Sequence, residues 1–160
     1  MAKVRILGKF GQGPNSLAPY KWIEGEILSD NVPAQLTYEA IGTYDFGVSG
    51  GKIGSYTLTS NVIPQGAHVT DVIVDIATGI TSTGGTGTVA LTLQTAGDLL
   101  AAVDADTISG LVQGIPTSGT ASTYIKTTAD RNIVLNIATA NLLTGKFTVY
   151  AKYSYNEANL

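Results

Sequence analysis

The one histidine of the chain, His68, is the first residue to consider for catalysis. A hydrolytic zinc centre draws on several His, Cys or carboxylate ligands, and these 160 residues include no cysteine and no second histidine. The serine nearest to His68 in the sequence, Ser60, does not stand in the Gly-x-Ser-x-Gly pattern of a nucleophile elbow. We therefore interpret His68 as a hydrogen-bonded turn residue and predict no catalytic role for it.

Two groups of carboxylates are the next candidates. Asp98, Asp104 and Asp106 lie close together in the sequence, but Ca²⁺ takes 6–8 oxygen ligands and the spaced Asp/Asn–Gly pattern of an EF-hand is missing. Asp71 and Asp75 share one face of a predicted strand, as the paired carboxylates of a glycosidase would. A solvated loop and two solvent-facing strand residues explain both groups more simply. The sequence thus predicts no catalytic residue, no metal site and no cofactor.

The glycines of residues 8–13 resemble a phosphate-binding loop only superficially. Their order is Gly-x-x-Gly-x-Gly, no Lys-Ser/Thr pair follows, and Pro14 stands where a helix would begin. The nine basic residues are scattered, with only Lys3, Arg5 and Lys9 clustered, and the net charge is −3. Because nucleic-acid binding needs several cations on one face, we predict no nucleic-acid partner.

No run of about 18 apolar residues exists that could span a membrane, and the first residues lack the apolar core of a signal peptide. The lack of cysteine fits synthesis in a reducing cytosol. Charged residues make up only 13% of the chain, about half the usual share. Such a neutral surface suits a protein that is packed against other proteins.

Glycine and proline interrupt the first 39 residues every few positions, which prevents long strands. We predict an extended N-terminal arm over residues 1–39 with one or two short strands, and a β-sandwich domain over residues 40–160. Buried aromatic side chains need a partner surface, and the arm carries the one tryptophan. The residues of the arm that we predict to bind a partner are Lys3, Arg5, Phe10, Tyr20, Trp22 and Ile23.

Period-2 alternation of apolar and polar residues dominates after residue 40. It predicts strands within residues 44–48, 54–58, 69–76, 88–94, 122–126, 132–137 and 146–155. Residues 96–103 are rich in helix formers and predict either a short helix with Asp98 as its N-cap or a turn. Seven or eight strands separated by glycine-rich turns favour an all-β fold, an antiparallel β-sandwich of jelly-roll or immunoglobulin type.

The eight tyrosines leave two functions open. Solvent-facing aromatic side chains can stack on sugar rings, so a tail- or fibre-associated jelly roll that binds host surface carbohydrate is an alternative. The alternation of the last strand, however, directs Tyr153 and Tyr155 to the core and only Tyr150 outward. Packing in a core or an interface is therefore the favoured use of these residues.

Residues 54–155 also resemble a family in the order of their segments. Residues 54–67 read Gly-Ser-Tyr-Thr-Leu-Thr-Ser-Asn-Val-Ile-Pro-Gln-Gly-Ala, and His-Val-Thr-Asp-Val-Ile-Val-Asp-Ile follows over residues 68–76. Later come Gly-Ile-Pro-Thr-Ser-Gly-Thr-Ala at 114–121, Ile-Lys-Thr-Thr-Ala-Asp-Arg-Asn-Ile-Val-Leu-Asn-Ile-Ala at 125–138 and Leu-Thr-Gly-Lys-Phe-Thr-Val-Tyr-Ala-Lys-Tyr at 143–153. This plan is similar to that of the head decoration, or cement, proteins of tailed bacteriophages.

The resemblance implies a β-sandwich or jelly-roll body that binds the outside of the capsid. It implies the major capsid protein as partner, a homotrimeric state, and a location on the virion surface after synthesis in the host cytoplasm. The implied role is to clamp neighbouring capsid subunits without catalysis. Residues 1–39 lie outside the resemblance, and we expect them to supply an inter-subunit contact.

Overall fold

The computed structural model describes residues 5–7, 22–24, 36–58, 61–117 and 124–155. The chain divides into two compact units, Met1–Pro33 and Ala34–Leu160. In the first unit, strands β1 (Arg5–Leu7) and β2 (Trp22–Glu24) pair antiparallel, with Ile6 opposite Ile23. Among the described residues, no helix is long and apolar enough to cross a membrane.

The second unit is a β-sandwich of two antiparallel sheets. The five-stranded sheet has the order β3-β11-β5-β8, and β9 pairs with the first residues of β5. Its strands are β3 (Leu36–Asp45), β5 (His68–Ser82), β8 (Gly110–Gly114), β9 (Ile125–Lys126) and β11 (Leu142–Tyr155). The long strand β11 thus lies between β3 and β5, paired with both.

The second sheet has four shorter strands in the order β4-β10-β6-β7. These strands are β4 (Gly54–Thr57), β6 (Thr88–Thr92), β7 (Leu100–Asp104) and β10 (Val134–Ala138). A short helix, α1 (Phe46–Ser49), follows β3, and a 3-10 turn (Thr83–Gly85) follows β5. The all-β sandwich predicted from the sequence is confirmed.

The core lies between the two sheets and includes most of the side chains that alternation assigned inward. Phe147 of the five-stranded sheet contacts Tyr44, and Tyr44 in turn contacts Tyr56 of the other sheet, with ring centroids 5.1 and 6.2 Å apart. The predicted inward residues that are buried are Val72, Val74, Ile76, Val89, Leu91, Leu93, Ile133, Leu135, Ile137, Phe147, Val149, Ala151 and Tyr153.

Two predicted elements differ in the structure. Residues 44–48 do not continue as a strand, because the Asp45 side chain accepts a hydrogen bond from the Gly47 amide and caps helix α1. Of the two alternatives for residues 96–103, the turn is the one that forms, at residues 96–97, and there is no helix. Leu100 begins β7 instead, and strand β8 follows at Gly110, where the sequence predicted no strand.

Asp98 explains why the loop before β7 takes this form. Its carboxylate accepts hydrogen bonds from the backbone amides of Leu93 at 2.6 Å and of Gln94 and Thr95 at 2.9 Å each. Its side chain is fully enclosed. The amides lie before Asp98 in the sequence, so the carboxylate closes a loop at the end of β6 and does not start a helix.

The first strand of the body, β3, begins at Leu36. That start lies inside the stretch that the sequence assigned to the arm. The ladder between β3 and β11 runs from Leu36 opposite Tyr155 to Asp45 opposite Lys146. Residues 36–39 therefore belong to the five-stranded sheet.

Candidate protein-binding surface

The outer face of the four-stranded sheet has an uncharged centre, with Asp104 on its edge strand β7, and the polar side chains at the centre bind one another. Asn136 lies at its centre, accepting a hydrogen bond from the Ser55 hydroxyl at 2.7 Å and donating one to the Thr92 hydroxyl at 2.7 Å. The neighbouring outward residues on the same strands are Thr57, Ala90 and Val134. This face therefore combines small side chains with polar groups that are already hydrogen-bonded to one another.

The outer face of the five-stranded sheet has a different chemistry. Tyr150 of β11 stands directly opposite Ile41 of β3 and Ile73 of β5, so three large apolar side chains form a row across the sheet. Ile41 is 45% exposed and the other two are half-buried. Large apolar groups that gather on one outer face are typical of a binding surface.

Strand β8 places exposed apolar residues beside this row, at the edge of the sheet. Leu111 stands opposite Asp75, and Gln113 stands opposite Ile73. Leu111 is 74% exposed and Ile115, four residues further on, is 75% exposed. Because alternate residues of a strand share a face, Leu111 and Gln113 both point outward. Ile115, directly after the strand, is exposed as well.

Charged residues surround the apolar row. On one side of it, Lys152 lies between Glu39 on β3 and Asp71 on β5. On the other side, Thr148 lies between Thr43 and Asp75. Further along, the Lys146 ammonium forms an ion pair with Asp45 at 3.0 Å. Around the row, four carboxylates face two lysines; with exposed Lys126 on β9, the outer face of the sheet has a formal charge of −1.

The ion pair at the end of this face shapes its electrostatics. The hydrogen bond from Lys146 is the main cause that lowers the pKa of Asp45, and the hydrogen bond from the Gly47 amide adds to it. Asp45 therefore remains ionised over the whole neutral range. It serves both as helix cap and as the partner of Lys146.

The six arm residues predicted to bind a partner fall into two groups. Lys3, Phe10 and Tyr20 lie outside the described residues. Arg5, Trp22 and Ile23 belong to the β1–β2 pair, where Arg5 is opposite Glu24 and Trp22 is opposite Leu7. The role of all six in binding stays a prediction.

His68 is the first residue of β5, not a turn residue. It stands opposite Lys126 of β9 and Ser154 of β11, at the rim of an open cavity of about 430 Å³. Tyr124, 70% exposed, also lines this cavity, while Val69 and Ile125 form its buried wall. The cavity has one exposed aromatic ring among these residues, whereas the sugar-binding alternative called for several together.

Residues 47–51 read Gly-Val-Ser-Gly-Gly and thus match the nucleophile-elbow pattern around Ser49. In that motif the serine stands at the turn between a strand and a helix, but here Ser49 is the last residue of α1. His68 aligns, through Ser154, with Thr37 at the far end of β3. Eight residues of strand separate Thr37 from Asp45, which is roughly 27 Å. A Ser–His pair is therefore not assembled.

The aspartates considered for calcium binding act as acceptors for the chain itself. Asp106 accepts hydrogen bonds from the amide and the hydroxyl of Ser82, and the Asp104 carboxylate accepts from the Asp106 amide at 2.9 Å. Asp98 is engaged in the loop described above. In the described part of the chain, no three His, Cys, Asp or Glu side chains are grouped so as to hold a metal ion.

Sequence reasoning found part of the apolar surface. Alternation places Ile73 between Asp71 and Asp75 on the outside of its strand and directs Tyr150 outward, and the structure agrees with both. It missed Ile41, Leu111 and Ile115. Ala40 and Tyr44 are buried and share one face of β3, so Ile41 lies on the opposite, outer face. Alternation would have predicted this if the strand had been extended back from residue 44 to include Ile41.

Comparison with known proteins shows the fold. The chain matches no protein-family model and no curated protein. It is similar to a chain in the acidic stable capsid structure of Helicobacter pylori bacteriophage KHP30, with a TM-score of 0.54 and 17% identity over 75% of this chain and 88% of that chain.

Two further solved structures match in the same way. The cyanophage Pam1 capsid asymmetric unit contains a similar chain with a TM-score of 0.53 and 17% identity, over 88% of this chain and 96% of that one. The capsid of Ralstonia phage GP4 contains another, with a TM-score of 0.53 and 15% identity, over 78% and 89%. The sandwich described above thus recurs in chains of three bacteriophage capsids.

Proposed function

We propose that this chain is a structural virion protein that binds the outside of a phage capsid and clamps neighbouring major capsid subunits, as a decoration or cement protein does. The observation that carries the proposal is the similarity to chains of three phage capsid structures, of which it covers 88%, 96% and 89%. The proposal includes a homotrimeric state, a position on the capsid surface and synthesis in the host cytoplasm.

The described side chains favour adhesion over catalysis. Asp98 and Asp106 are occupied by hydrogen bonds from the chain's own backbone, and Ser49 and His68 lie at opposite ends of the five-stranded sheet. The outer face of that sheet, in contrast, combines apolar and charged groups in the manner of an interface. A protein that clamps two capsid subunits needs contact area buried against both of them and no reactive side chain.

The direct test is to look for the protein in purified heads and to rebuild the contact in solution. Quantitative mass spectrometry of heads should find it at hundreds of copies per particle. The recombinant chain should bind expanded shells that lack it, with a saturable number of sites. A chain that is missing from heads, or that fails to bind such shells and instead binds sugars on a glycan array, would refute the proposal.

The N-terminal unit is proposed to add contact area between subunits. An extended segment that settles on a neighbour enlarges an interface, at the cost of ordering that segment. Removal of residues 1–33 keeps all of β3, whereas removal of residues 1–39 would cut into it. We expect the 1–33 deletion to fold, as judged by its circular dichroism, and to lose full occupancy on shells. Full occupancy by the truncated protein would contradict this role of the arm.

A further inference from the structure

The outer face of the five-stranded sheet offers a second contact, independent of the N-terminal unit. Its centre is the apolar row formed by Ile41, Tyr150 and Ile73, flanked by Leu111 on β8 and by Ile115 directly after that strand. We call this set of residues, together with the charges around it, the sheet face. The face does not include the four-stranded sheet, whose outer side chains satisfy one another through Asn136.

We propose that the sheet face is the surface through which this protein attaches to the shell, and that the shell surface it meets carries Lys or Arg around an apolar centre. The inference deepens the proposed function and depends on it. It assigns a place and a partner chemistry to the contact, which the similarity of folds does not supply.

The charges of the sheet face support a partner surface that carries Lys or Arg. The Asp45–Lys146 ion pair neutralises itself, which leaves Glu39, Asp71 and Asp75 against Lys152 around the row. The remaining lysine of this face, Lys126, lies on β9 beside His68, at the end of the sheet. An acidic rim around an apolar centre repels acidic surfaces and attracts basic ones. The apolar centre then supplies the close-packed part of the contact, while the charges select the partner and its orientation.

The area of the sheet face favours a capsid shell, and not a second free copy of this chain, as its partner. The width of the face is three inter-strand distances across four strands, plus the side chains at both edges, which is roughly 19 Å. Its length is the rise of six residues along β3, from Glu39 to Asp45, which is roughly 20 Å. The product is roughly 400 Å², about half of the area that each partner buries in a stable complex of standard size. The face is therefore too small for a lasting dimer in solution. On a shell, other contacts and the repetition of sites make up the difference.

The test compares two substitutions on the face with matched substitutions elsewhere. Leu111→Ser removes an apolar group from the face, and Val48→Ser, at a residue 85% exposed on helix α1, is its control. Asp75→Lys reverses a charge on the face, and Asp104→Lys reverses an exposed charge on β7. The measurement is the apparent Kd for expanded shells at two salt concentrations, with the free protein's sedimentation followed in parallel.

We expect each face variant to bind at least fivefold more weakly than its control, and the wild-type Kd to rise with salt. Carboxyl footprinting of the wild-type protein should also show protection of Asp75 on the shell, a readout that needs no mutation. The inference is overturned if either face variant binds shells with a Kd within fivefold of its control. It is also overturned if Leu111→Ser changes the sedimentation of the free protein, because the face would then be a contact between copies of this chain. Failure of the wild-type protein to bind shells would instead refute the proposed function itself.

Discussion

Replacement of Asp98 by alanine should strongly destabilise the sandwich without touching its hydrophobic core. The carboxylate is the acceptor for three backbone amides, those of Leu93, Gln94 and Thr95. The side chain is 2% exposed, so water does not reach it in the folded protein. The substitution therefore removes one acceptor group and leaves three donors without it.

The size of the effect follows from how well each amide can be rehydrated. A buried donor left without a partner costs about 1–3 kcal/mol, and a hydrogen bond to a charged group contributes about 1.5–3 kcal/mol. The Leu93 amide is buried, whereas those of Gln94 and Thr95 are only partly buried and can recover some hydrogen bonding from water. We expect a loss of about 3–5 kcal/mol for Asp98→Ala, a large share of a typical domain's stability of about 5–15 kcal/mol.

Urea denaturation followed by far-ultraviolet circular dichroism measures this loss. With a slope of about 2 kcal/mol per M of urea, as is common for small proteins, the midpoint should fall by about 2 M. Asp104→Ala is the control, because that exposed carboxylate accepts a single amide hydrogen bond, from Asp106. Its midpoint should fall by less than about 0.5 M. A shift of Asp98→Ala no larger than that of the control would show that the three hydrogen bonds do not hold this loop.

Two further predictions concern close packing and pH. Gly114→Ala would place a Cβ atom in van der Waals overlap with the Leu99 carbonyl oxygen and should lower the free energy of unfolding by at least about 2 kcal/mol. The control is Gly79→Ala, whose Cβ atom would meet no atom within 4 Å. In the same urea assay it should change stability by less than about 1 kcal/mol. Equal effects would contradict the close approach. Burial raises the pKa of Tyr44 to about 12. The unfolded chain therefore loses the Tyr44 proton near pH 10 and the folded chain near pH 12. The free energy of unfolding should fall between these two pH values, by up to about 2 kcal/mol. Tyr44→Phe, which also loses the hydrogen bond to the Gly50 carbonyl, should show a shallower decline in that window, and an unchanged decline would contradict the assignment.

The strands that the sequence predicted well are those in which one face meets the core along the whole length. In β5, β10 and β11, alternation is visible because inward apolar residues alternate with outward residues that are mostly polar. The core residues could be read from this pattern alone. Alternation assigns Tyr153 and Ile73, for example, to opposite sides of the sheet, and both lie on the side that it predicts.

The errors arose where a side chain redirects the backbone. Asp45 ends β3 by capping α1. Asp98 gathers three amides into a loop where local propensity left a short helix or a turn open. Strand β8 escaped prediction because it holds only three residues between two glycines and is fixed by pairing with β5. Such interactions depend on neighbours distant in sequence, and propensity is a weak guide to them.

The sheet face shows the same limit at the level of function. Alternation could direct single residues outward, but it could not say that Ile41, Tyr150 and Ile73 stand side by side. That fact depends on the register of three strands, β3, β11 and β5, which are far apart along the chain. The arm, which the sequence favoured as the contact, stays a prediction.

The position of β11 has a consequence for how the chain folds. It is the last strand in sequence, yet it lies between β3 and β5, and the pairing of Leu36 with Tyr155 spans most of the chain. Contacts between residues so distant in sequence close late and slow the folding of β proteins. During synthesis, β3 and β5 therefore wait with unpaired edges until β11 has left the ribosome. A nascent chain of this protein has a period in which its two longest early strands are open to wrong partners.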